Sequence, residues 1–448
     1  MLQVIAFNIF RATSRFRFTW LAAFLLILAA RPLGPSVQAG RRPKKLARIL
    51  ILAKDGFVDD VRASLLASEG FFVLSVPRIV FKGLAAGVLS PKLDDYYYRT
   101  DDPAIEASKF LYREFLQKTF QHVSRLRPID AVMSGNFGYF AERELAHALE
   151  AEGTPFIVLH KENLKSPGRI KFFHAVYKDR RGKFRGRRIL VYNEIERCLQ
   201  VNSGVATADQ IFVTGMPRLD RIHAWRRQNA DTVSPPQLLF FSFSRNTGLP
   251  RLPRKPAAGV PHNQEGIESE IGALNWNILA SECHRAMIRL AQARQDCRVL
   301  IKTKGTARDY KHAFSLLASP SSELPQNLRV VIGGDPFDAL IASRVVIGLN
   351  TTGLLEALAA GKPVIVPWFA EATNTLHQEF VIDLGQAVQY ANSPDQLIEL
   401  ALSYLDNPPA VPNELSMHSK AALQFWVGNA DGNSATRIRQ AVRDELHF

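Results

Sequence analysis

The residues of this chain whose types and spacing suit chemistry begin with a turn, Asn350-Thr351-Thr352-Gly353, followed closely by Glu356. Val345 to Leu349 reads as a buried strand, and Thr351 or Thr352 as the cap of a following helix. The first backbone N–H groups of such a helix point outward, and its dipole favours an anion there, so the turn suits a phosphate. Gly353 would let that phosphate approach with no Cβ in the way. With Thr352 as cap, Leu355 is the third helical residue, and Glu356 falls one residue too late for a capping box. The competing reading is a capped helix whose Glu356 faces solvent and which ends at Gly361, before Lys362-Pro363.

Other candidates sit where apolar runs end. In the second half, Ile301-Lys302-Thr303-Lys304-Gly305 would place Lys302 and Lys304 over a cleft, where cations can neutralise a diphosphate leaving group. Phe241-Ser242-Phe243-Ser244-Arg245 places Ser244 and Arg245 for phosphate contact. In the first half, Lys54-Asp55-Gly56, Ser134-Gly135-Asn136-Phe137-Gly138 and His160-Lys161-Glu162 follow three strands and would face an acceptor. A transfer reaction needs a base for the acceptor hydroxyl, and Asp55, His160 and Glu162 are the candidates; His160 has the most suitable ordinary pKa. Asn136 is a candidate acceptor contact. Thr214 to Asp220 closes this half; its Gly-x-Pro-Arg-x-Asp stretch is similar to one near the domain junction of polysaccharide-biosynthesis proteins, which implies Arg218 and Asp220 as inter-domain residues and Arg218 also as a ligand contact. No Asp-x-Asp follows a strand, and Cys198, Cys283 and Cys297 have no zinc-site spacing, so no metal is expected.

These residues need elements to hold them. From Ala47 onward, short apolar strands alternate with helical segments, the pattern of parallel α/β sheets. Strands are expected at Arg48–Ala53, Phe71–Val76, Ala131–Ser134, Phe156–His160, Ile189–Tyr192 and Gln210–Thr214. After Ser234-Pro235-Pro236 a second series is expected at Gln237–Phe243, Arg298–Thr303, Arg329–Gly333, Arg344–Leu349, Pro363–Pro367 and Ala387–Tyr390. The division is therefore 1–45 as a targeting or anchoring segment, 46–233 and 234–412 as two Rossmann-like domains, and 413–448 as a helical segment crossing back to the first. Arg245 to Leu274, long and aperiodic at a strand end, reads as a lid over the cleft.

Charge is localised. The net +14 contains +9 from residues 1–50, which hold nine Lys or Arg and no acid, and another +9 from Lys165 to Arg188, leaving the rest at −4. Two basic segments and a near-neutral body fit an anionic membrane surface better than nucleic acid. The apolar run Trp20 to Ala30 would extend only about 16 Å as a helix, about half of a bilayer core. An interfacial anchor, a cleaved signal and a plain extension are the three readings of this segment.

The run Arg344 to Trp368, together with Ser393-Pro394-Asp395-Gln396-Leu397 and Leu405-Asp406-Asn407-Pro408, resembles the nucleotide-binding half of GT-B glycosyltransferases. Within them it looks closest to bacterial surface- or capsular-polysaccharide and CDP-glycerol glycerophosphotransferase-like proteins. The resemblance implies an α/β GT-B fold of two doubly wound sheets facing a cleft. It implies Asn350, Thr351, Thr352 and Gly353 at the donor diphosphate and Glu356 at the ribose. It also implies metal-independent transfer of a sugar, or a polyol phosphate, from a nucleotide-activated donor to a glycan or lipid-linked acceptor, with no further cofactor, at the cytoplasmic side of the inner membrane. Val364 stands eight residues after Glu356, so the paired glutamates of many retaining transferases are absent. The alternatives are a nucleotide-sugar 2-epimerase, which needs several cleft carboxylates, and a non-catalytic membrane-tethered binding protein.

Overall fold

The computed structural model describes residues 2–34, 46–67, 70–250, 274–317 and 323–446. Most of the Arg245 to Leu274 loop, and the lid expected there, lies outside the described residues. The first domain holds β1 (Arg31–Pro32), β2 (Ala47–Ala53), β3 (Phe71–Pro77), β4 (Ala131–Ser134), β5 (Phe156–Leu159), β6 (Arg188–Val191) and β7 (Ile211–Val213). The second holds β8 (Gln237–Phe241), β9 (Arg298–Thr303), β10 (Leu328–Ile332), β11 (Val345–Gly348), β12 (Val364–Pro367) and β13 (Gln389–Ala391). Each expected strand is present, with ends shifted by at most two residues.

The sheets run β1-β3-β2-β4-β5-β6-β7 and β10-β9-β8-β11-β12-β13. Among the described residues only the two-residue β1 pairs antiparallel, with β3; the other pairs are parallel. Every residue of β4, β5, β11 and β12 is buried, as strands covered by helices on both faces must be. Alternation along β2 sends Leu50 and Leu52 into one core and Ile49 and Ile51 into the other. The second of these cores includes Ile438 and Val442 of the helix Ser434–Leu446, which thereby covers the first domain. The chain thus forms two doubly wound, Rossmann-like sheets in tandem, the GT-B architecture.

In both sheets the strand order reverses direction once, between β2 and β4 and between β8 and β11. A crevice opens outside the carboxyl ends of strands at such points, and ligands collect there. The loops Lys54–Gly56 and Ser134–Gly138 leave β2 and β4; Ser242–Arg245 and Asn350–Gly353 leave β8 and β11. Asp55, Asn136, Ser244, Arg245 and the Asn350–Gly353 turn therefore flank the reversal points, while Lys302 and Lys304 lie at or just past the end of the neighbouring β9, and His160 and Glu162 follow β5.

Residues 2–34, within the expected targeting or anchoring segment 1–45, pack onto the first domain. The helix Leu2–Arg15 crosses the helix Arg78–Val88 so closely that a Cβ at Gly83 would lie 2.6 Å from the Phe7 carbonyl and one at Gly87 2.5 Å from that of Arg11. The helix Thr19–Ala29 buries Ala22, Ala23 and Leu26 in the same core as Tyr112 and Phe120 of the helix Pro103–Leu126. The basic run 165–188, expected at an anionic membrane surface, has part of its charge paired or buried. Lys165 is buried against Glu196, Lys171 pairs with Glu379 at 2.7 Å, Arg187 with Glu150 at 3.0 Å, and Arg188 with Glu445. Arg181 is buried among the rings of Tyr96, Phe137 and Tyr177.

Candidate functional site

On the side of the second domain, the turn after β11 is built differently from expectation. Asn350 adopts a left-handed φ of 50°. Its amide donates to the Phe380 carbonyl at 2.9 Å and its Oδ1 accepts from Ile382 N–H at 2.9 Å, so the side chain secures the 380–382 loop instead of facing a phosphate. Thr351, extended at φ −128° and ψ 145°, is the cap, its Oγ1 accepting from Gly353 N–H at 3.2 Å. Thr352 opens the helix Thr352–Ala359. A Cβ at Gly353 would lie 2.5 Å from the Phe241 ring, so glycine there serves first the packing of helix on β8, a correction to its expected role in phosphate approach.

Glu356 is 5% exposed. Among the described residues its carboxylate has no hydrogen bond or ion pair. Burial raises its pKa above the ordinary value, with Arg218 and Arg221 pulling the other way. A nearly buried carboxylate with two unbonded oxygens lacks what such groups normally have, a set of donors.

Arg218 supplies the neighbouring positive charge. It precedes the helix Leu219–Gln228, and its Nε lies 2.9 Å from Oδ1 of the fully buried Asp60. Tyr192 donates its hydroxyl proton to the other Asp60 oxygen. Burial would lower the Arg218 pKa, but Asp60 first, then Tyr192 and Glu356, hold it above its ordinary value. Arg218 thus joins a first-domain carboxylate to the electrostatic reach of Glu356. Asp220, two residues on, accepts from Asn429 Nδ2 at 2.7 Å and from Ser434 and Ala435 N–H at 3.1 and 2.7 Å, fixing the start of the last helix.

The lysines divide. Lys302 is buried and donates to the carbonyls of Gly333 and, at 3.0 Å, Gly334, so its ammonium braces the turn after β10 and is not free for a leaving group. Burial lowers its pKa, against the pull of Asp335 and Glu356. Lys304 is exposed and lines a small hollow with Ser244, Thr247 and His312. Ser244 N–H donates to Thr247 Oγ1 at 3.0 Å, closing a turn. Arg245 is exposed, and its carbonyl accepts from Trp276 N–H at 2.9 Å.

On the side of the first domain the three strand-end loops meet. Lys54 donates to Tyr139 at 2.6 Å and stands 3.8 Å from Glu162 Oε1. Asn136 donates to Glu162 Oε2 at 3.1 Å, and Lys161 to the Asp55 carbonyl at 2.5 Å. The Glu162 side chain is 45% exposed, so its carboxylate is held at two points and still reaches solvent. Burial pushes its pKa up, but His160, Lys54 and Lys165 outweigh that and keep it below the ordinary value. Asp55 is exposed, and among the described residues only its carbonyl is bonded. Burial lowers the Lys161 pKa, with the Lys54 charge adding; Glu162 and Asp60 oppose it and Arg218 adds to it, which links these loops to the Arg218 cluster.

His160 is a correction. It is fully buried, with Nε2 3.2 Å from Glu196 Oε1 and its ring 5.3 Å from that of Phe137. Lys165 pairs with the other Glu196 oxygen. Burial would raise the Glu196 pKa, but Lys165 and His160 hold it at about 2. An imidazole enclosed in such a triad supports the loop carrying Glu162 and does not meet an acceptor. Sequence reasoning missed Glu196, Lys165, Asp60 and Tyr192 as members of these networks. The one local signal was Asn193, whose Oδ1 caps Glu196 N–H at 2.9 Å and so fixes Glu196 in the first turn of its helix.

No known family's profile matches the sequence, and no curated protein matches it. Solved structures similar to the chain include a putative UDP-N-acetylglucosamine 2-epimerase from Listeria monocytogenes, at 15% identity and TM-score 0.47, covering 90% of this chain and 97% of that one. UDP-GlcNAc 2-epimerase from Neisseria meningitidis, bound to UDP-GlcNAc, is 11% identical at TM-score 0.46, covering 89% and 100%. A UDP-forming trehalose-phosphate synthase from Burkholderia xenovorans is 11% identical at TM-score 0.44, covering 90% and 99%. The two-sheet architecture stands on the strand order and register given above.

Proposed function

We propose that the chain is an enzyme acting on a nucleotide-diphosphate sugar, and that it transfers the sugar to a surface-glycan or lipid-linked acceptor at the cytoplasmic side of the inner membrane. The observation that carries the nucleotide site is Glu356: nearly buried, without a donor among the described residues, beside Arg218 and at the point where the second sheet reverses. Ribose hydroxyls would supply the donors this carboxylate lacks. Arg218 and exposed Lys304 would hold the diphosphate, and their charge would stabilise it as it leaves.

Glu162 is the proposed base. It takes the proton of the acceptor hydroxyl, whose oxygen forms the new bond to the anomeric carbon as the bond to the diphosphate breaks. Lys54 and Asn136 fix its orientation. A polyol phosphate in place of the sugar would use the same donor contacts.

A second reading, epimerisation of the sugar on its nucleotide, is favoured by one feature: Glu162, Lys54 and Lys161 meet where the first-domain loops end, and proton transfer at a sugar carbon needs a set of such groups. Incubating nucleotide sugars in deuterated water without acceptor separates the two. Transfer predicts no exchange into the sugar ring and no second epimer; epimerisation predicts both. A non-catalytic binding protein would show neither, and no turnover with any acceptor.

A further inference from the structure

We propose that the helical hairpin Leu2–Ala29 seats the protein on the surface of an anionic lipid bilayer, as a peripheral and non-spanning contact. This inference is independent of the nucleotide reading. The hairpin has an inner face that is firmly packed: Phe10, Thr13, Ser14, Ala22, Ala23 and Leu26 are buried, and the Gly83 and Gly87 positions let the first helix approach backbone to backbone. Its outer face is the opposite. Ile5, Ile9, Phe16, Trp20, Phe24 and Leu28 are all at least 42% exposed. Trp20, Phe24 and Leu28 recur every fourth residue and so form a single stripe, with the Trp20 and Phe24 rings stacked at 5.7 Å. A soluble surface seldom leaves so many large apolar side chains together without a partner.

The charge around this face selects the occupant. Arg11, Arg15, Arg17 and Arg31 are exposed and form no ion pair within 4 Å among the described residues. Residues 1–50 contain no Asp or Glu. A second copy docked face to face would bring these arginines against their own equivalents, whereas lipid phosphates neutralise them. Aromatic rings beside arginines suit the depth of the headgroup region. Among the described residues no helix is long and apolar enough to cross a membrane, so the contact lies in the interface plane.

The test is cosedimentation of the full chain with phosphatidylcholine vesicles, with and without phosphatidylglycerol. Binding is expected on the phosphatidylglycerol vesicles and weaker by about tenfold or more on phosphatidylcholine alone. Trp20→Glu with Phe24→Glu should weaken it by a further factor of about ten or more while leaving the melting temperature in place. Arg11→Gln with Arg15→Gln changes only exposed side chains and should weaken binding to the anionic vesicles alone; it decides the matter if the first variant misfolds. Absence of binding by the wild-type chain, or binding unchanged in both variants, overturns the proposal. So does a wild-type dimer in light scattering that the Trp20 and Phe24 changes dissociate, with no vesicle binding.

Discussion

Replacing Glu356 with Gln separates a ligand group from a structural one. The carboxylate makes no hydrogen bond or ion pair among the described residues and is 5% exposed, so its removal breaks no contact. Burial sets its folded pKa above the unfolded value, so the folded state favours the protonated carboxyl. Stability from this group is present at low pH and lost as pH rises through the folded pKa. At neutral pH the ionised form is therefore a cost, and Gln removes it. The free variant should melt at the same temperature as the wild-type chain or slightly above, with any gain vanishing in acid.

Nucleotide binding should move the other way. A hydrogen bond to a charged group contributes about 1.5–3 kcal/mol, which is roughly 10- to 150-fold in Kd. Calorimetric titration with the nucleoside diphosphate that best stabilises the fold, chosen from UDP, CDP and GDP, gives the number directly. A variant that melts several degrees lower and binds as tightly as the wild type refutes the reasoning, because Glu356 would then be structural.

Three further outcomes follow from the same geometry. Glu162→Gln should lower kcat by about 10²- to 10⁴-fold with little change in KM for the nucleotide sugar, measured by nucleotide release in the presence of acceptor. Glu196→Gln leaves Lys165 buried beside a neutral amide and should cost about 3–5 kcal/mol in denaturant unfolding of the first domain, because Lys165 and Glu196 are 1% and 0% exposed. His223 and His284, both buried, have pKa values lowered by burial to about 4. The unfolded chain binds their protons first as pH falls from about 6.5, so stability present above that pH is lost on the way to about 4; each should cost about 2 kcal/mol at pH 5, read as a falling melting temperature.

Much of the fold was legible because parallel strands covered on both sides read as continuous apolar runs, and β4, β9 and their neighbours lie where those runs lie. Candidate positions were legible where strands end: Glu162 and Asn136 were selected that way, and Glu356 by the resemblance of its helix start to GT-B transferases. Their partners were not legible. Glu196 lies 31 residues from Lys165, Asp60 lies 132 from Tyr192, and neither separation leaves a periodic trace.

The errors have the same origin. His160 has a suitable ordinary pKa, but its burial against Glu196 is a property of the packed domain. Gly353 and Asn350 fit a phosphate turn in sequence, while Phe241 and the 380–382 backbone claim them in space. The packing of the helix Leu2–Arg15 was not legible in the 1–45 segment, because the Gly83 and Gly87 groove that receives it lies far along the chain.

The most direct measurement of the central claim is calorimetric titration of the wild-type chain with UDP, CDP and GDP, repeated with Arg218→Met. Saturable one-site binding of at least one nucleoside diphosphate, clearly weakened in the variant, is expected. Binding of none of the three, or equal binding with and without the Arg218 guanidinium, would contradict it.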